Sequence, residues 1–267
     1  MDYVFYLGLG AISGLISGLF GLGGGAIIVP LLIFAFATQG ISSEIATHLA
    51  IGTSLATIVI TSLSSIYTHH QKGAIRWDLV MRIVPGIILG SALGGLFAIT
   101  LEGILLQLMF GGFMIFIGLQ MIFYKVVSTQ RPTPAAPLLA AAGAGIGGIS
   151  ALFGIGGGAL TTPFLTHAGI RIHQAVGSAA ACGLPIALVA TLVYGSPNLT
   201  GEELPGPSLG YIFLPAWLGI VVTSTPFARI GALLAHRANE QILKQSFGWL
   251  MLALGMRFVW INISGYQ

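Results

Sequence analysis

Long apolar segments, separated by short polar ones, make up nearly the whole chain. About 20 apolar residues are enough for a helix to cross the hydrocarbon core of a membrane, and each segment reaches or exceeds that length. The segments are 4–36, 45–66, 79–99, 104–124, 137–165, 175–194, 209–227 and 242–261. The pattern predicts an all-α membrane protein.

The first and fifth segments are too long to be single membrane-spanning helices. Segment 4–36 would extend about 50 Å as one helix and segment 137–165 about 44 Å, against a hydrocarbon core of ~30 Å. Each contains three consecutive glycines, at 23–25 and 156–158, and glycine disfavours helix. Broken backbone inside a membrane is tolerated only where protein buries it or where it lines a wet cavity. We therefore predict that each segment forms two shorter helices joined at the glycines.

The chain also repeats itself. Residues 14–32 recur 133 positions later as 147–165, with 12 of the 19 positions identical. Residues 50–54 resemble 175–179, and Gly94 and Phe110 match Gly231 and Phe247. The repeat predicts a first transmembrane unit over 1–124, a cytoplasmic linker over 125–136 and a second unit over 137–267. Internal repeats in membrane chains are typical of secondary transporters, and duplication for packing alone is the alternative.

The basic residues predict how the two units lie in the membrane. Cytoplasmic loops carry an excess of Lys and Arg. If every segment crossed once, Lys72 and Arg131 would lie opposite Arg171 and Lys244. If segments 4–36 and 137–165 enter and return on the same side, all four residues share one side. We therefore predict two inverted repeats, each a broken glycine-rich helix hairpin followed by three transmembrane helices.

Composition narrows the class of function. Hydrophobic residues make up 55% of the 267 positions and charged residues 6%, whereas soluble domains carry roughly 25% charged residues. The net charge of +3 comes from few residues, so no nucleic-acid partner is expected. The single cysteine, Cys182, excludes a disulfide framework and a multi-cysteine metal site. No nucleotide-binding loop or metalloprotease motif is present, so we expect no cofactor, no metal and no enzymatic activity. Because the N-terminus lacks a basic n-region, we interpret it as the start of the mature protein.

The glycines are the first candidates for a binding site. Consecutive glycines leave backbone N–H groups uncovered, and a helix that begins beside them adds a positive helix end, which suits an anion. At Gly24 and Gly157 we expect either a positive φ or a close approach of the ligand to the backbone. Close helix packing through small residues is the alternative.

Nearby hydroxyl groups and the few ionisable side chains complete the prediction. A hydroxyl bonded to its own helix carbonyl is the alternative for the Ser and Thr residues. Interfacial placement is the alternative for the histidines, and snorkelling to the cytoplasmic surface is the alternative for Arg82 and Arg229. The predicted substrate-binding residues are Gly23, Gly24, Gly25, Thr53, Ser54, Gly156, Gly157, Gly158, Thr161, Thr162 and Ser178. The candidates for a proton or anion relay are His48, His173 and Arg82.

The doubled glycine motif resembles a known family. Gly-x-Gly-Gly-Gly followed by Val-Pro-Leu in one half and Thr-Pro-Phe in the other is similar to the TauE/SafE sulfite exporters. The resemblance extends from Leu7 to about Val259. It implies a multi-pass protein of the inner (plasma) membrane that moves sulfur-containing anions such as sulfite, sulfoacetate and related organosulfonates.

Together these observations predict a secondary transporter of a small sulfur-containing anion. The anion would be held at the membrane midplane between the two glycine breaks. A carrier of small carboxylates and a passive anion channel remain alternatives. Coupling to a proton or to Na⁺ is a further possibility that the residues leave open, and no motif supports an intramembrane enzyme.

Overall fold

The computed structural model describes residues 2–20, 24–123, 135–196, 204–235 and 240–264. Within these ranges the chain is nearly all helical, as predicted, with one two-stranded hairpin between α8 and α9. The helices are α1 Asp2–Phe20, α2 Gly25–Thr38, α3 Ser43–Gln71, α4 Trp77–Ala98, α5 Gly103–Phe123, α6 Ala136–Phe153, α7 Gly158–His167, α8 Ile172–Tyr194, α9 Leu214–Ala235 and α10 Glu240–Ser264. The strands, β1 Ser208–Leu209 and β2 Ile212–Phe213, pair antiparallel.

Both long apolar segments are broken at their glycines, which confirms that prediction. Helices α1 and α2 return to the same end of the bundle, where Tyr6 Oη lies 2.7 Å from Gln39 Nε2. Helices α6 and α7 also return together, since Leu139 near the start of one and Leu165 near the end of the other share a buried cluster. Each pair is therefore a hairpin of helices.

Small residues bring the remaining helices into close pairs. A Cβ added at Gly14 of α1 would overlap the backbone of Ser224 on α9, and one at Gly94 of α4 would overlap the backbone of Gly148 on α6. Such close approach between helix backbones is how transmembrane helices associate without a hydrophobic driving force. The first helix of each half thus packs on the fourth helix of the other half.

Corresponding helices of the two halves run antiparallel. In the α5–α10 pair, Gly111 lies against Gly255 and Gly118 lies against Gly248. Gly248 is the repeat counterpart of Gly111 and Gly255 that of Gly118, so the contact is self-complementary, as a two-fold axis requires. Helices α3 and α8 also run antiparallel. This is the packing that an inverted repeat would produce.

Six of the described helices are long and apolar enough to cross a membrane: α3, α4, α5, α6, α8 and the part of α10 from Gln245 to Ser264. The α1–α2 hairpin contributes shorter apolar stretches, Val4–Ser17 and Gly25–Thr38. Helix α9 has 22 residues but is not among the six. It carries Ser224, Thr225 and Arg229, which line a cavity described below.

The turn between α3 and α4 lies beside the start of α8, because the backbone N–H of Arg76 donates to Ser178 Oγ at 3.0 Å. Lys72, Arg76 and Arg171 therefore lie at one end of the bundle, called the basic end below. Glu44 and Gly103 meet at the opposite end. Most of the predicted linker, 125–134, and the acidic part of the α8–α9 connection, 197–203, fall outside the described residues.

Candidate functional site

The tips of the two helix hairpins meet inside the bundle. A Cβ added at Gly25, the first residue of α2, would lie 3.0 Å from the Cα of Ile155 and would overlap the carbonyl oxygen of Gly154. That carbonyl also accepts a 2.9 Å hydrogen bond from Ser54 Oγ on α3. Gly154 ends α6 in the left-handed conformation, with φ +67°, which glycine adopts without strain. The two helix breaks therefore pack directly against each other.

A cavity of about 390 Å³ extends from the two breaks toward the basic end. Gly24 borders it on one side and residues 156–158 on the other, while α1, α3, α8 and α9 supply the walls. Its far part is lined by Thr68 and His69, in the last turn of α3. The hydroxyl-bearing lining residues are Ser13, Ser17, Thr61, Ser62, Ser64, Ser65, Thr68, Ser224 and Thr225.

The lining hydroxyls differ in what their protons can reach. Thr61 and Thr68 donate to carbonyls of their own helix, which uses the O–H group. Ser17 Oγ instead accepts the N–H of Gly24 at 2.8 Å. Ser224 Oγ is buried and has no hydrogen-bond partner in the described part of the chain. Ser17 can therefore donate into the cavity, which is what an anion requires, and Ser224 borders the cavity with its Oγ buried in the wall.

The described lining of the cavity carries one fixed positive charge and no negative one. Arg229 lines it from α9 and His69 from α3, and the described lining contains no Asp or Glu. Helices α2 and α7 both begin at the breaks, so their first-turn amides and positive helix ends adjoin the cavity. No group of three or more His, Cys, Asp or Glu side chains in the described residues is placed to share a metal ion. The arrangement suits a small anion with several oxygen atoms.

The β-hairpin closes the side of the breaks opposite to the cavity. The N–H of Phe213 donates to Thr53 Oγ1 at 2.9 Å, next to Ser54 on α3. The Phe213 ring packs edge to face on Phe36, with centroids 5.6 Å apart, and Tyr211 lies 5.0 Å from the ring of His48. The cavity is therefore open toward the basic end and blocked at the other end.

The structure places the predicted glycines in different roles. Gly24 and the three glycines 156–158 line the cavity, whereas Gly25 is packed against Gly154. Gly23 lies outside the described residues. Of the two alternatives expected at Gly24 and Gly157, a positive φ does not hold at Gly157, where φ is −56°, and at Gly24 φ is only 10°. The close approach of a ligand to the backbone stays a prediction. The left-handed residue is Gly154, since that is where the chain leaves α6.

The predicted hydroxyls do not line the cavity, and three of them are committed to protein contacts. Thr53 holds the β-hairpin, Ser54 holds Gly154, and Ser178 accepts the N–H of Arg76. Thr161 is buried with no hydrogen-bond partner in the described part of the chain. Thr162 is partly buried, and its carbonyl oxygen accepts a 2.9 Å hydrogen bond from Thr166 Oγ1.

The predicted relay residues also lie away from the cavity. His48 is buried beneath the β-hairpin, with Nδ1 2.9 Å from the carbonyl oxygen of Glu44 and Nε2 3.1 Å from that of Ala98. His173 and Arg82 are exposed on the outside of the bundle. The residues that do carry ionisable groups into the cavity are His69 and Arg229.

The sequence contains signals that could have found the missed residues. Ser13 and Ser17 are four apart in an apolar helix, and so are Thr225 and Arg229, which places each pair on one helix face. The run 61–65 holds four hydroxyl residues, which is unusually polar for a membrane span. An apolar helix with one polar face indicates a wet surface, and all these residues lie on the cavity wall.

Comparison with known proteins identifies the family of the chain. The sequence model of the family described as sulfite exporter TauE/SafE matches residues 6–258. A probable membrane transporter protein of Haemophilus influenzae is 34% identical over 251 residues, which cover 93% of this chain and 94% of that protein. Probable membrane transporter proteins of Xylella fastidiosa and Methanocaldococcus jannaschii are each 26% identical and are covered over 94% and 92% of their lengths. These matches cover 95% and 93% of this chain. No solved structure matches the chain.

Proposed function

The chain belongs to the sulfite exporter TauE/SafE family of membrane transporters, and from that premise we propose that it carries a small sulfur-containing anion. The anion binds in the cavity between the two glycine breaks, near the membrane midplane. The observation that carries the proposal is a cavity bordered by both breaks, with uncommitted hydroxyls and one arginine in its wall.

The binding chemistry follows from the donors. Arg229 supplies a fixed positive charge and a planar set of N–H groups that can bind two oxygens at once. Ser17 and Ser224 supply O–H donors, and the first-turn amides of α7 supply N–H donors directed by the helix dipole. A sulfonate or sulfite has three oxygens and can use donors from three directions. A carboxylate has two, so a small carboxylate remains the second candidate.

The transport cycle is inferred from the fact that the cavity is open at one end of the bundle and closed at the other. Positively charged loops favour the cytoplasm, so the basic end faces inward and the structure is an inward-open form. The β-hairpin blocks the outer end. Alternating access between two halves related by an inverted repeat accounts for one open end and one closed end, whereas a passive channel requires a continuous pore. Coupling to a proton or to Na⁺ belongs to the same proposal, with His69 as the titratable group in the cavity.

Binding measurements test the proposal. The purified protein in detergent is titrated with sulfite, sulfoacetate, taurine, isethionate, thiosulfate and lactate, and Arg229→Gln is compared with Arg82→Gln. We expect a sulfur-containing anion to bind most tightly. Arg229→Gln should weaken that binding at least tenfold, or about 1.4 kcal/mol. Arg82→Gln should not, because Arg82 is exposed on the outside of the bundle. Tighter binding of lactate than of every sulfur-containing anion would reject the substrate class.

A further inference from the structure

Three buried hydroxyls on α4, α6 and α7 are without a hydrogen-bond partner in the described part of the chain. The Oγ atoms of Ser91 and Ser150 and the Oγ1 atom of Thr161 have no hydrogen bond in the described part of the chain, and all three residues are 0% exposed. A buried polar group without a partner is costly, and each one in a native structure needs an explanation. Packing alone gives no reason for hydroxyls at these positions, since alanine or valine would fill them.

The internal repeat connects these three residues with the cavity. The displacement of 133 residues that relates the glycine motifs makes Ser150 the counterpart of Ser17 and Thr161 the counterpart of Ile28. The displacement of 137 that relates Gly94 to Gly231 makes Ser91 the counterpart of Ala228. Ser17, Ile28 and Ala228 all line the cavity. The three unpartnered hydroxyls therefore occupy the equivalent positions of the other half.

The helices around these three hydroxyls are packed together at the positions that correspond to the cavity wall. Gly14 of α1 contacts Ser224 of α9, and its counterpart Gly147 of α6 contacts Ile87 of α4, the counterpart of Ser224. Ser91 Oγ lies 2.8 Å from where a Cβ at Gly147 would be. On this side Ile87 joins α8 in one buried cluster. On the other side, the corresponding faces of α9 and α3 both border the cavity.

We propose that Ser91, Ser150 and Thr161 line a second cavity, which opens to the outer side of the membrane in the alternate conformation. The inference rests on the proposed alternating-access function. In that conformation the α4–α6 pair separates from α8, and the three hydroxyls meet water or the transported anion. The same motion closes the inner cavity, so that Ser17 becomes buried as Ser150 is now. The hydroxyls are thus retained for a state in which they have partners.

Cysteine accessibility tests this proposal without knowledge of the substrate. Ser150→Cys and Ser91→Cys are made in a Cys182→Ala background, and a charged, membrane-impermeant methanethiosulfonate is added outside intact cells. Met114→Cys is the matched control, because it is 1% exposed and lies in the α5–α10 interface, away from both faces. Ser17→Cys in inside-out vesicles reports the inner cavity. Each cysteine is measured with and without Ala180→Trp, which places a large ring in the inner cavity, hinders its closure and so disfavours the outward-open form.

We expect Ser150→Cys to react from outside faster than Met114→Cys, and at least tenfold more slowly when Ala180→Trp is present, while Ser17→Cys stays reactive in the inside-out vesicles. Ser91→Cys should follow Ser150→Cys, and Met114→Cys should stay slow throughout. If Ala180→Trp fails to insert, Ala228→Trp fills the same cavity from α9.

The inference is overturned if Ser150→Cys and Ser91→Cys both react no faster than Met114→Cys in either background, or react from the cytoplasmic side alone. Failure of every anion to bind, with accessibility that exchanges sides as expected, would instead reject the proposed substrate and leave this inference standing.

Discussion

Replacing Gly157 by alanine should destabilise the protein by crowding, whereas replacing Gly24 should act on the ligand. Gly157 has helical backbone angles, so alanine brings no backbone strain there. Its Cβ, however, would lie 3.0 Å from the carbonyl oxygen of Ala179 and 3.0 Å from the N of Gly183. Both are backbone atoms of α8, so no side-chain rotation can relieve the contact. A Cβ at Gly24 would meet the flexible tip of Ile28 at 3.0 Å and Ser17 Oγ at 3.7 Å, on the cavity wall.

The magnitudes separate the two substitutions. Crowding a packed interior costs about 1–3 kcal/mol, which for a chain of this size lowers Tm by about 2–10 °C in Gly157→Ala. Gly24→Ala should keep Tm within a few degrees of wild type. It should weaken anion binding about tenfold if the methyl group displaces one donor from a charged ligand, since such a hydrogen bond is worth about 1.5–3 kcal/mol.

Thermal unfolding in detergent and isothermal titration with the tightest-binding anion measure both quantities. Wild-type Tm with tenfold weaker binding in Gly157→Ala would refute the packing argument. Wild-type affinity in a folded Gly24→Ala protein would refute the placement of the anion beside Ser17.

Three further predictions concern the β-hairpin at the outer end and the hydroxyls that are hydrogen-bonded within the protein. Ser54→Ala leaves the buried carbonyl of Gly154 without its hydrogen bond, so we expect unfolding to become easier by about 1–3 kcal/mol with anion affinity unchanged. Ser178→Ala should have the same effect, because it leaves the N–H of Arg76 without its acceptor. A tenfold loss of anion affinity in either folded variant would show that its hydroxyl belongs to the binding site. Gly52→Ala forces a methyl group against the backbone of Tyr211, so hydrogen exchange at 208–213 should become faster, and unchanged exchange there would argue against the hairpin as the outer closure.

The architecture could be predicted from the sequence because it depends on local and repeated signals. Apolar length defines the helices, and consecutive glycines define the breaks in both long segments. Identical residues around the glycines of both halves indicate that the two breaks correspond. These features need no knowledge of which helices touch.

The lining of the site could not be predicted in the same way, because it depends on tertiary contacts. Ser54 and Ser178 follow Gly52 and Gly177, which correspond in the two halves, but their hydroxyls bond to a loop carbonyl and a turn N–H. Arg229 resembles an interfacial arginine by its position near a helix end, and only the packing of α9 on α1 shows that it borders the cavity. Helix periodicity places a residue on a face, and the neighbouring helix decides whether that face is wet.

The differences between the two halves bear on how the cycle is controlled. Arg229 lines the inner cavity, but its repeat counterpart on α4 is Ala92, and the counterpart of Ser224 is the buried Ile87. On the proposed mechanism, closing the inner cavity without an anion would bury the Arg229 guanidinium unpaired, which costs far more than burying an ion pair. A bound anion supplies the missing partner and removes that cost. On this mechanism the empty carrier would be held open to the cytoplasm, and substrate binding would make the transition to the outward form possible.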